Sequence, residues 1–485
     1  MTAFSTTRSS RGHEAHFLVR PLNATPRTRA ALSQRQHPLH IRNLFFLCGV
    51  FVVLPFFNIP LIGLSVTAPL ILPVMCYAFF QSTTPWVHRY RGWLLIVAAI
   101  LLGMVVSFVG NGPWFESREF QMIEIATLVR YLFWLAVFLV TAYVASDFRI
   151  QRRLPFILGI AVVVLAGLRC FEGIVLGKVG AWTETIFTTQ NNYGILFSTF
   201  TPFLFSVFLG RGFIRKLLCA VALVAVLFAC AINGSRGSWI CITLALAVFF
   251  LLAMASRPGV SLRLILPVGF TVLALAGILA GSTRVREAVF SRFSTFDNLE
   301  RDKSYMIRQV MNQRNLKLFA LSPWCGVGPG RLREVYVPLD LPLVLAGKSD
   351  ADYMRKSAHN SYLGFLAEGG LVASLPLAAL IVLLTIRGAL AAMALNRKGE
   401  RWALAVYASF IAMSVHFWSL AGITGTHAWF VYGLLAATIY LAAQTRKQSR
   451  LSLARPQIAH QRLPFRSARP IVLHSPQPAA LTADH

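Results

Sequence analysis

Residues 216–255 read KLLCAVALVAVLFACAINGSRGSWICITLALAVFFLLAMA. They form two apolar runs, each of roughly the length that a helix needs to cross a bilayer core. The runs are separated by a short polar turn that contains Asn233, Gly234, Ser235 and Arg236. Because glycine breaks helices, this stretch predicts two membrane-spanning helices joined by a tight turn.

The same pattern repeats along the chain. Of its 485 residues, 56% are hydrophobic and only 13% are charged, which is outside the range of an ordinary soluble domain. We therefore predict an all-α, polytopic membrane protein with about twelve transmembrane helices. The predicted spans are residues 43–59, 61–80, 92–110, 128–146, 154–171, 192–210, 216–233, 238–255, 263–281, 360–386, 402–421 and 426–443. The first two meet at Asn58, Ile59 and Pro60, which predicts a tight helical hairpin.

Basic residues indicate the orientation of these spans. The net charge is +28, but the arginines mostly flank apolar runs, so we predict no nucleic-acid partner. Lys and Arg beside spans are retained in the cytoplasm. The loops around Arg149, Arg215, Arg257 and Arg397 lie on the same side as both Arg-rich tails, so both termini are predicted to be cytoplasmic.

Five segments follow from this pattern. They are residues 1–42 (a disordered basic cytoplasmic tail), 43–281 (spans one to nine), 282–358 (a helical periplasmic subdomain), 359–443 (spans ten to twelve) and 444–485 (a second disordered basic tail). Inside the subdomain, residues 304–321 form an imperfect amphipathic pattern that stops at Ser322 and Pro323.

Cations on the outer face need a reason, because they break the positive-inside rule. Arg236 lies in a glycine-flanked turn, and Arg308 lies on the polar side of the 304–321 helix. A planar guanidinium binds phosphate oxygens in pairs, so both residues are candidates for a pyrophosphate site. A snorkelling role remains open for Arg236. For Arg314 and Lys317 an ordinary solvated charge is the preferred interpretation, with substrate binding as the alternative for Arg314.

His359 begins the tenth span where the long outer loop ends. The positive end of a helix dipole disfavours a charged imidazole, so His359 is a candidate base. Asn360 or Ser361 is a candidate helix cap. Glu368 lies inside the same span, where a carboxylate needs a partner, and it either holds an arginine or orients a substrate. The acid pair Asp350 and Asp352 occurs in a solvated loop, so we expect no metal site.

Four pieces of sequence share the outer face and a fixed order. They are Gln190-Asn191-Asn192-Tyr193, Gly234-Ser235-Arg236-Gly237, Arg308 followed by Pro323 and Gly326-Val327-Gly328-Pro329-Gly330, and His359-Asn360-Ser361-Tyr362-Leu363 with Glu368-Gly369-Gly370-Leu371. In this arrangement the chain resembles the O-antigen ligase and O-antigen polymerase family of polysaccharide-assembling membrane proteins.

The resemblance implies a helical glycosyltransferase in the bacterial inner membrane that acts in lipopolysaccharide or exopolysaccharide assembly without a metal or cofactor. It would move a glycan from undecaprenyl pyrophosphate to an acceptor hydroxyl, on a glycan or on lipid A-core, at the periplasmic face. The implied catalytic residues are His359, Arg236 and Arg308. The implied substrate-binding residues are Asn191, Asn192, Tyr193, Ser235, Asn360, Tyr362, Glu368 and Arg314.

Two questions stay open at this level. The residues before His359 lack the extra histidine associated with many ligases, which leaves ligase and polymerase as alternatives. Twelve spans are also a common plan for transporters of small solutes, and a non-catalytic scaffold is a third possibility. Transporters usually place ionisable groups near the bilayer midplane, whereas here Arg236, Arg308 and His359 collect on one face.

Overall fold

The computed structural model describes most of the helical part of the chain. The described residues are 37–54, 58–59, 64–65, 67–81, 85–111, 118–179, 189–208, 212–257, 269, 277, 281, 283, 286–287, 290, 302–339, 341, 352–353, 356, 358–420, 423 and 425–454. The predicted ninth span, most of residues 282–301 and 342–351, and the predicted tails before residue 37 and after residue 454 lie outside them.

Twelve α-helices occupy the described residues. In chain order they are α1 (Leu39–Val53), α2 (Thr67–Phe80), α3 (Pro85–Gly110), α4 (Arg118–Val144), α5 (Phe148–Ile174), α6 (Gln190–Phe208), α7 (Phe213–Asn233), α8 (Arg236–Ser256), α9 (Lys303–Leu321), α10 (Ser361–Arg397), α11 (Trp402–His416) and α12 (Thr426–Ala454). A short 3-10 turn, Arg331–Arg333, lies between α9 and α10.

Seven of these helices are long and apolar enough to cross a membrane. They are α3, α4, α5, α7, α8, α10 and α12, whereas α1, α2 and α11 are shorter apolar helices. The helical, membrane-type fold is thus confirmed among the described residues, and the count of twelve spans stays a prediction. Helix α9 begins and ends within one residue of the amphipathic helix that the sequence predicts.

The connection between the first two predicted spans differs from the prediction. Helix α1 ends at Val53, and α2 begins only at Thr67. Between them Asn58–Ile59 pairs antiparallel with Leu64–Ser65 as two short strands, β1 and β2. The tight helical hairpin at Asn58 to Pro60 is therefore wrong. Leu54 precedes Pro55, and a residue before proline is driven out of the helical conformation.

Helices α10, α11 and α12 form the centre of the bundle. Helix α10 packs against α3, α8, α11 and α12, while α11 packs against α6 and α8. One face of α7 is apolar and exposed, and it includes Phe213, Ile214 and Leu218. An exposed apolar stripe of this kind suits contact with lipid.

One end of the bundle is basic. Arg257 at the end of α8 donates from Nη2 to the Arg397 carbonyl at the end of α10, over 2.7 Å. Arg152 near the start of α5 forms an ion pair with Glu400, which precedes α11. Because α8 and α10 both end here, they start at the opposite end of the bundle. Helix α6 also starts there, since Asn233, just before α8, donates to the Gln190 carbonyl.

Helix α10 is broken at Gly370, which has φ 59° and ψ −163°. The segment after α9 fills the break with backbone hydrogen bonds in both directions. Val327 N and Gly328 N donate to the carbonyls of Ala367 and Glu368, over 2.8 and 3.1 Å. Leu371 N and Val372 N donate to the carbonyls of Pro323 and Trp324. The glycine-rich turn therefore joins the segment that follows α9 to the long apolar helix α10.

Candidate active site

A cavity of about 620 Å³ opens at the end of the bundle opposite the basic end. Five segments line it: the start of α6, the turn between α7 and α8, one face of α9, the residues before α10, and the end of α11. His359, Arg236 and Arg308 all lie in its wall. The structure therefore brings together the three residues that the sequence singled out, although their positions are far apart in the chain.

Arg236 is held by the α7–α8 turn. Helix α7 ends at Asn233, Gly234 takes the left-handed conformation with φ 67°, and Ser235 precedes the first turn of α8. Arg236 Nη2 lies 2.6 Å from Asp302 Oδ2, and both side chains are largely buried. Asp302 also caps α9 by accepting from Tyr305 N. This ion pair fixes α9 against the start of α8.

Arg308 lies on α9, about one helical turn after Tyr305. Its Nη1 donates to the Ser304 hydroxyl over 2.7 Å, and its Nε donates to the Ser419 carbonyl over 3.2 Å. Its Nη2 makes no hydrogen bond to the described residues. Burial lowers the pKa of the guanidinium, and the charge of Arg236 acts in the same direction. The carboxylate of Asp302 offsets part of this repulsion, and an anionic ligand would offset more of it.

His359 has two features that mark a constrained site. It has φ 52°, the only positive φ of a non-glycine residue in the described chain. Its Nδ1 is buried and has no hydrogen-bond partner among the described residues. Burial and the nearby charges of Arg308 and Lys356 lower the pKa of His359 from 6.5 to about 4. At neutral pH the imidazole is therefore uncharged and has a lone pair for a proton.

Helix N-termini add to the positive potential of the cavity. Gln190 and Asn191 at the start of α6, and Arg236 at the start of α8, line it. The first backbone N–H groups of a helix carry partial positive charge and bind anions. Gly194 allows the two helices to meet here, because a Cβ at this position would lie 2.8 Å from Ser238 Oγ. Together with the arginines, this arrangement suits a phosphate-bearing ligand.

A buried polar cluster that the sequence analysis missed supports this wall. Arg169 and Glu172, both on α5 and fully buried, form an ion pair at 3.3 Å. Arg169 Nε also donates to Asn233 Oδ1 over 3.2 Å. Asn233 Nδ2 in turn donates to the Gln190 carbonyl over 3.0 Å. The sequence signal that could have identified this cluster was an Arg and a Glu three residues apart, near the end of an apolar run.

Arg314 is not the solvated charge that the sequence favoured. It is fully buried, and its Nη1 donates to the carbonyls of Tyr353 and Lys356. Burial lowers the pKa of Arg314 to about 10. It does not line the cavity, and its contacts hold the segment before His359 against α9. Lys317, in contrast, is half-buried, and its Nζ donates to the Pro338 carbonyl.

The other predicted substrate-binding residues divide into two groups. Asn191 and Ser235 line the cavity with the catalytic candidates. Asn192, Tyr193, Asn360, Tyr362 and Glu368 do not. Asn360 caps α10 by accepting from Tyr362 N and Leu363 N. Glu368 is buried and accepts a hydrogen bond from the Tyr131 hydroxyl over 3.1 Å.

Among the described residues, no group of three or more His, Cys, Asp or Glu side chains is placed to hold a metal ion. Asp350 lies outside the described residues. The cations that face the cavity come from side chains instead, namely Arg236, Arg308 and Lys356.

The long apolar helices define a multi-pass membrane protein, and a cavity lined by Arg236, Arg308 and Lys356 lies at one end of the bundle. Residues 221–378, from α7 to the middle of α10, match the family model described as O-antigen ligase. This match confirms the resemblance to the O-antigen ligase and polymerase family, and it includes Arg236, Arg308 and His359. O-antigen ligases are enzymes of the glycosyltransferase type that act in polysaccharide assembly. A comparison with curated proteins gives no significant match.

Proposed function

We propose that this protein transfers a glycan from undecaprenyl pyrophosphate to an acceptor hydroxyl in the cavity that contains His359, Arg236 and Arg308. The observation that carries the proposal is the meeting of two half-buried guanidinium groups, Arg236 and Arg308, with the His359 imidazole, whose Nδ1 is buried without a hydrogen-bond partner among the described residues. A transfer of this kind needs a proton acceptor on one side of the reacting carbon and stabilisation of a leaving anion on the other.

In the proposed reaction, the acceptor oxygen attacks the anomeric carbon of the donor glycan. The bond between that carbon and the pyrophosphate oxygen breaks, and undecaprenyl pyrophosphate leaves with the electron pair. The hydroxyl proton passes to the His359 imidazole. Arg236 and Arg308 bind the pyrophosphate as its charge develops, in a cavity where water screens charges poorly.

The same charges explain how a weak base could act here. Burial, together with the charges of Arg308 and Lys356, lowers the pKa of His359 to about 4. A bound pyrophosphate would offset these positive charges, because an anion favours the protonated imidazole. The donor would therefore raise the pKa of His359 and make it a stronger base in the complex than in the free protein.

The proposal also says which side of the membrane each end of the bundle faces. The basic end with Arg152, Arg257 and Arg397 would face the cytoplasm, since Lys and Arg near span ends are retained there. The cavity at the opposite end would then face the periplasm of a bacterial inner membrane, with both termini cytoplasmic. Either lipid A-core or a growing glycan would serve as acceptor, which corresponds to a ligase or a polymerase.

The first test replaces His359, Arg236 and Arg308 one at a time by Ala in cells. Surface polysaccharide and accumulated undecaprenyl-linked glycan are measured after membrane insertion has been confirmed. We expect each variant to lower transfer roughly a hundred-fold or more, as the loss of a group that stabilises a transition-state anion does. The lipid-linked precursor should accumulate.

Arg257→Ala is the matched control, because Arg257 lies at the opposite end of the helix that begins with Arg236. It should transfer glycan at the wild-type level. If the three cavity variants retain normal polysaccharide and no precursor accumulates, the proposed reaction is refuted, and transport or scaffolding becomes the better explanation.

A further inference from the structure

Besides His359 Nδ1, the cavity wall contains another buried polar atom, and the proposed reaction does not use it. Asn312 lies on α9 and lines the cavity, and its Oδ1 is buried without a hydrogen-bond partner among the described residues. A buried carbonyl oxygen that stays unpaired is unfavourable, because it has lost its hydrogen bonds to water. Such atoms in native structures are therefore expected to bond to water or to a ligand, and Asn312 Oδ1 lies where a ligand in the cavity could reach it.

Helix geometry places Asn312 beside the reacting groups. Ser304, Arg308 and Asn312 follow each other at intervals of four residues, so they share one face of α9. Four residues correspond to a rise of about 6 Å along the helix. From the Arg236–Asp302 ion pair, the cavity wall thus runs past Arg308 to Asn312.

The same turn of α9 contacts the segment that leads to His359. Asn315 Nδ2 donates to the Ala358 carbonyl over 3.3 Å, and Arg314 Nη1 donates to the Lys356 carbonyl over 3.0 Å. These bonds hold the backbone beside His359 next to the turn that contains Asn312. Asn312 is therefore placed on the side of the proposed base, beyond the arginines that would bind the leaving pyrophosphate.

An exposed aromatic ring lines the same cavity. Trp418 is 63% exposed and packs at 5.2 Å against the ring of Tyr362, which holds it in place. Ligand sites typically combine an aromatic surface with a few polar groups that fix orientation. A sugar ring has both an apolar face and outward hydroxyl groups, so it matches Trp418 and the carboxamide of Asn312 together.

We propose that Asn312 determines acceptor specificity by accepting a hydrogen bond from a hydroxyl of the acceptor sugar that is bound beside His359. This inference rests on the proposed glycan transfer and adds to it a residue that would bind the acceptor sugar. The Asn312 amide nitrogen is available to donate to a second sugar oxygen.

The test uses the full-length protein in lipid nanodiscs. Undecaprenyl-pyrophosphate-linked glycan is the donor, and lipid A-core and a second lipid-linked glycan are each tried as acceptor. The variants are Asn312→Leu, which has a similar shape without an acceptor oxygen, and Asn312→Asp, which keeps that oxygen. Gln313→Leu is the matched control, because the neighbouring Gln313 does not line the cavity.

We expect Asn312→Leu to raise the KM for the acceptor about ten-fold, the loss typical of one hydrogen bond to a ligand. The kcat should change less than about three-fold, and the KM for the donor should not change. Asn312→Asp should remain within about three-fold of the wild type in acceptor KM. Undecaprenyl pyrophosphate alone should bind equally well to the wild type, Asn312→Leu and Gln313→Leu, which shows that the cavity is intact in these uncharged variants.

Three results would overturn the inference. The first is an unchanged acceptor KM in Asn312→Leu, and the second is an equal rise of the acceptor KM in Asn312→Leu and Asn312→Asp. The third is an effect on the donor KM alone, which would assign the contacted hydroxyl to the donor glycan. A wild-type protein that transfers to neither acceptor would instead refute the proposed reaction itself, so the two failures can be told apart.

Discussion

Gly370→Ala should damage both stability and glycan transfer, because the break in α10 depends on this glycine. Its φ of 59° and ψ of −163° lie in a region that is essentially reserved for glycine. A Cβ would lie 2.2 Å from the Trp324 carbonyl oxygen and 2.5 Å from Gly326 N. Both atoms belong to backbone that is hydrogen-bonded into the break, so they cannot move aside alone.

The magnitude follows from two contributions. A side chain in this backbone conformation costs of order 1–3 kcal/mol. Separating the segments also weakens four backbone hydrogen bonds, and each contributes roughly 0.5–1.5 kcal/mol. We expect the free energy of unfolding to fall by about 3 kcal/mol or more. The 323–328 segment should detach from α10, and His359 should then lose its place in the cavity.

The assay is thermal unfolding in detergent, combined with limited proteolysis and with transfer activity. Gly370→Ala should lower the midpoint by several degrees, and residues 322–330 should be cleaved faster. Gly167→Ala is the matched control, because Gly167 lies within α5 and a Cβ there meets no atom within 4 Å. An equal midpoint and equal cleavage for Gly370→Ala and wild type would refute the argument.

Two further predictions concern charge. The pKa of His359 is lowered to about 4 in the free protein, so kcat/KM for the donor should stay constant from neutral pH down to about pH 5 and fall near pH 4. If bound pyrophosphate raises this pKa, kcat should fall at a higher pH than kcat/KM, and coincident profiles would contradict that effect. Arg169→Met should destabilise the protein by roughly 3–5 kcal/mol in thermal unfolding, because it removes the cation that forms an ion pair with the buried Glu172 carboxylate. The double variant Arg169→Met with Glu172→Leu should recover much of the lost stability. Equal destabilisation in the single and double variants would argue against the buried charge as the cause.

Much of the helical plan could be predicted from local patterns. The α7–α8 turn and the bounds of α9 follow from apolar runs, capping residues and glycine, which act over a few neighbouring residues. The prediction failed between α1 and α2, where apolar character continued across Pro55 and concealed the end of a helix. Hydropathy measures how well a segment suits lipid, and it does not show whether the backbone stays helical.

The site was predictable only in part for a different reason. Arg236, Arg308 and His359 were identifiable because a cation or a helix-terminal histidine on the outer face is unusual. Arg314 was misjudged, since its burial depends on the carbonyls of Tyr353 and Lys356, about forty positions away. A surface helix pattern cannot show that another segment covers one of its charges.

The sequence by itself determined that this protein is helical and suited to a membrane, and which ends of its helices carry the unusual polar residues. These properties depend on composition within single segments, because each helix must satisfy its own backbone in lipid. Only the tertiary structure decided that Arg236, Arg308 and His359 share one cavity, and that the glycine-rich turn closes the break at Gly370. Those facts depend on how segments distant in sequence pack, and packing is set by the shapes of many side chains at once.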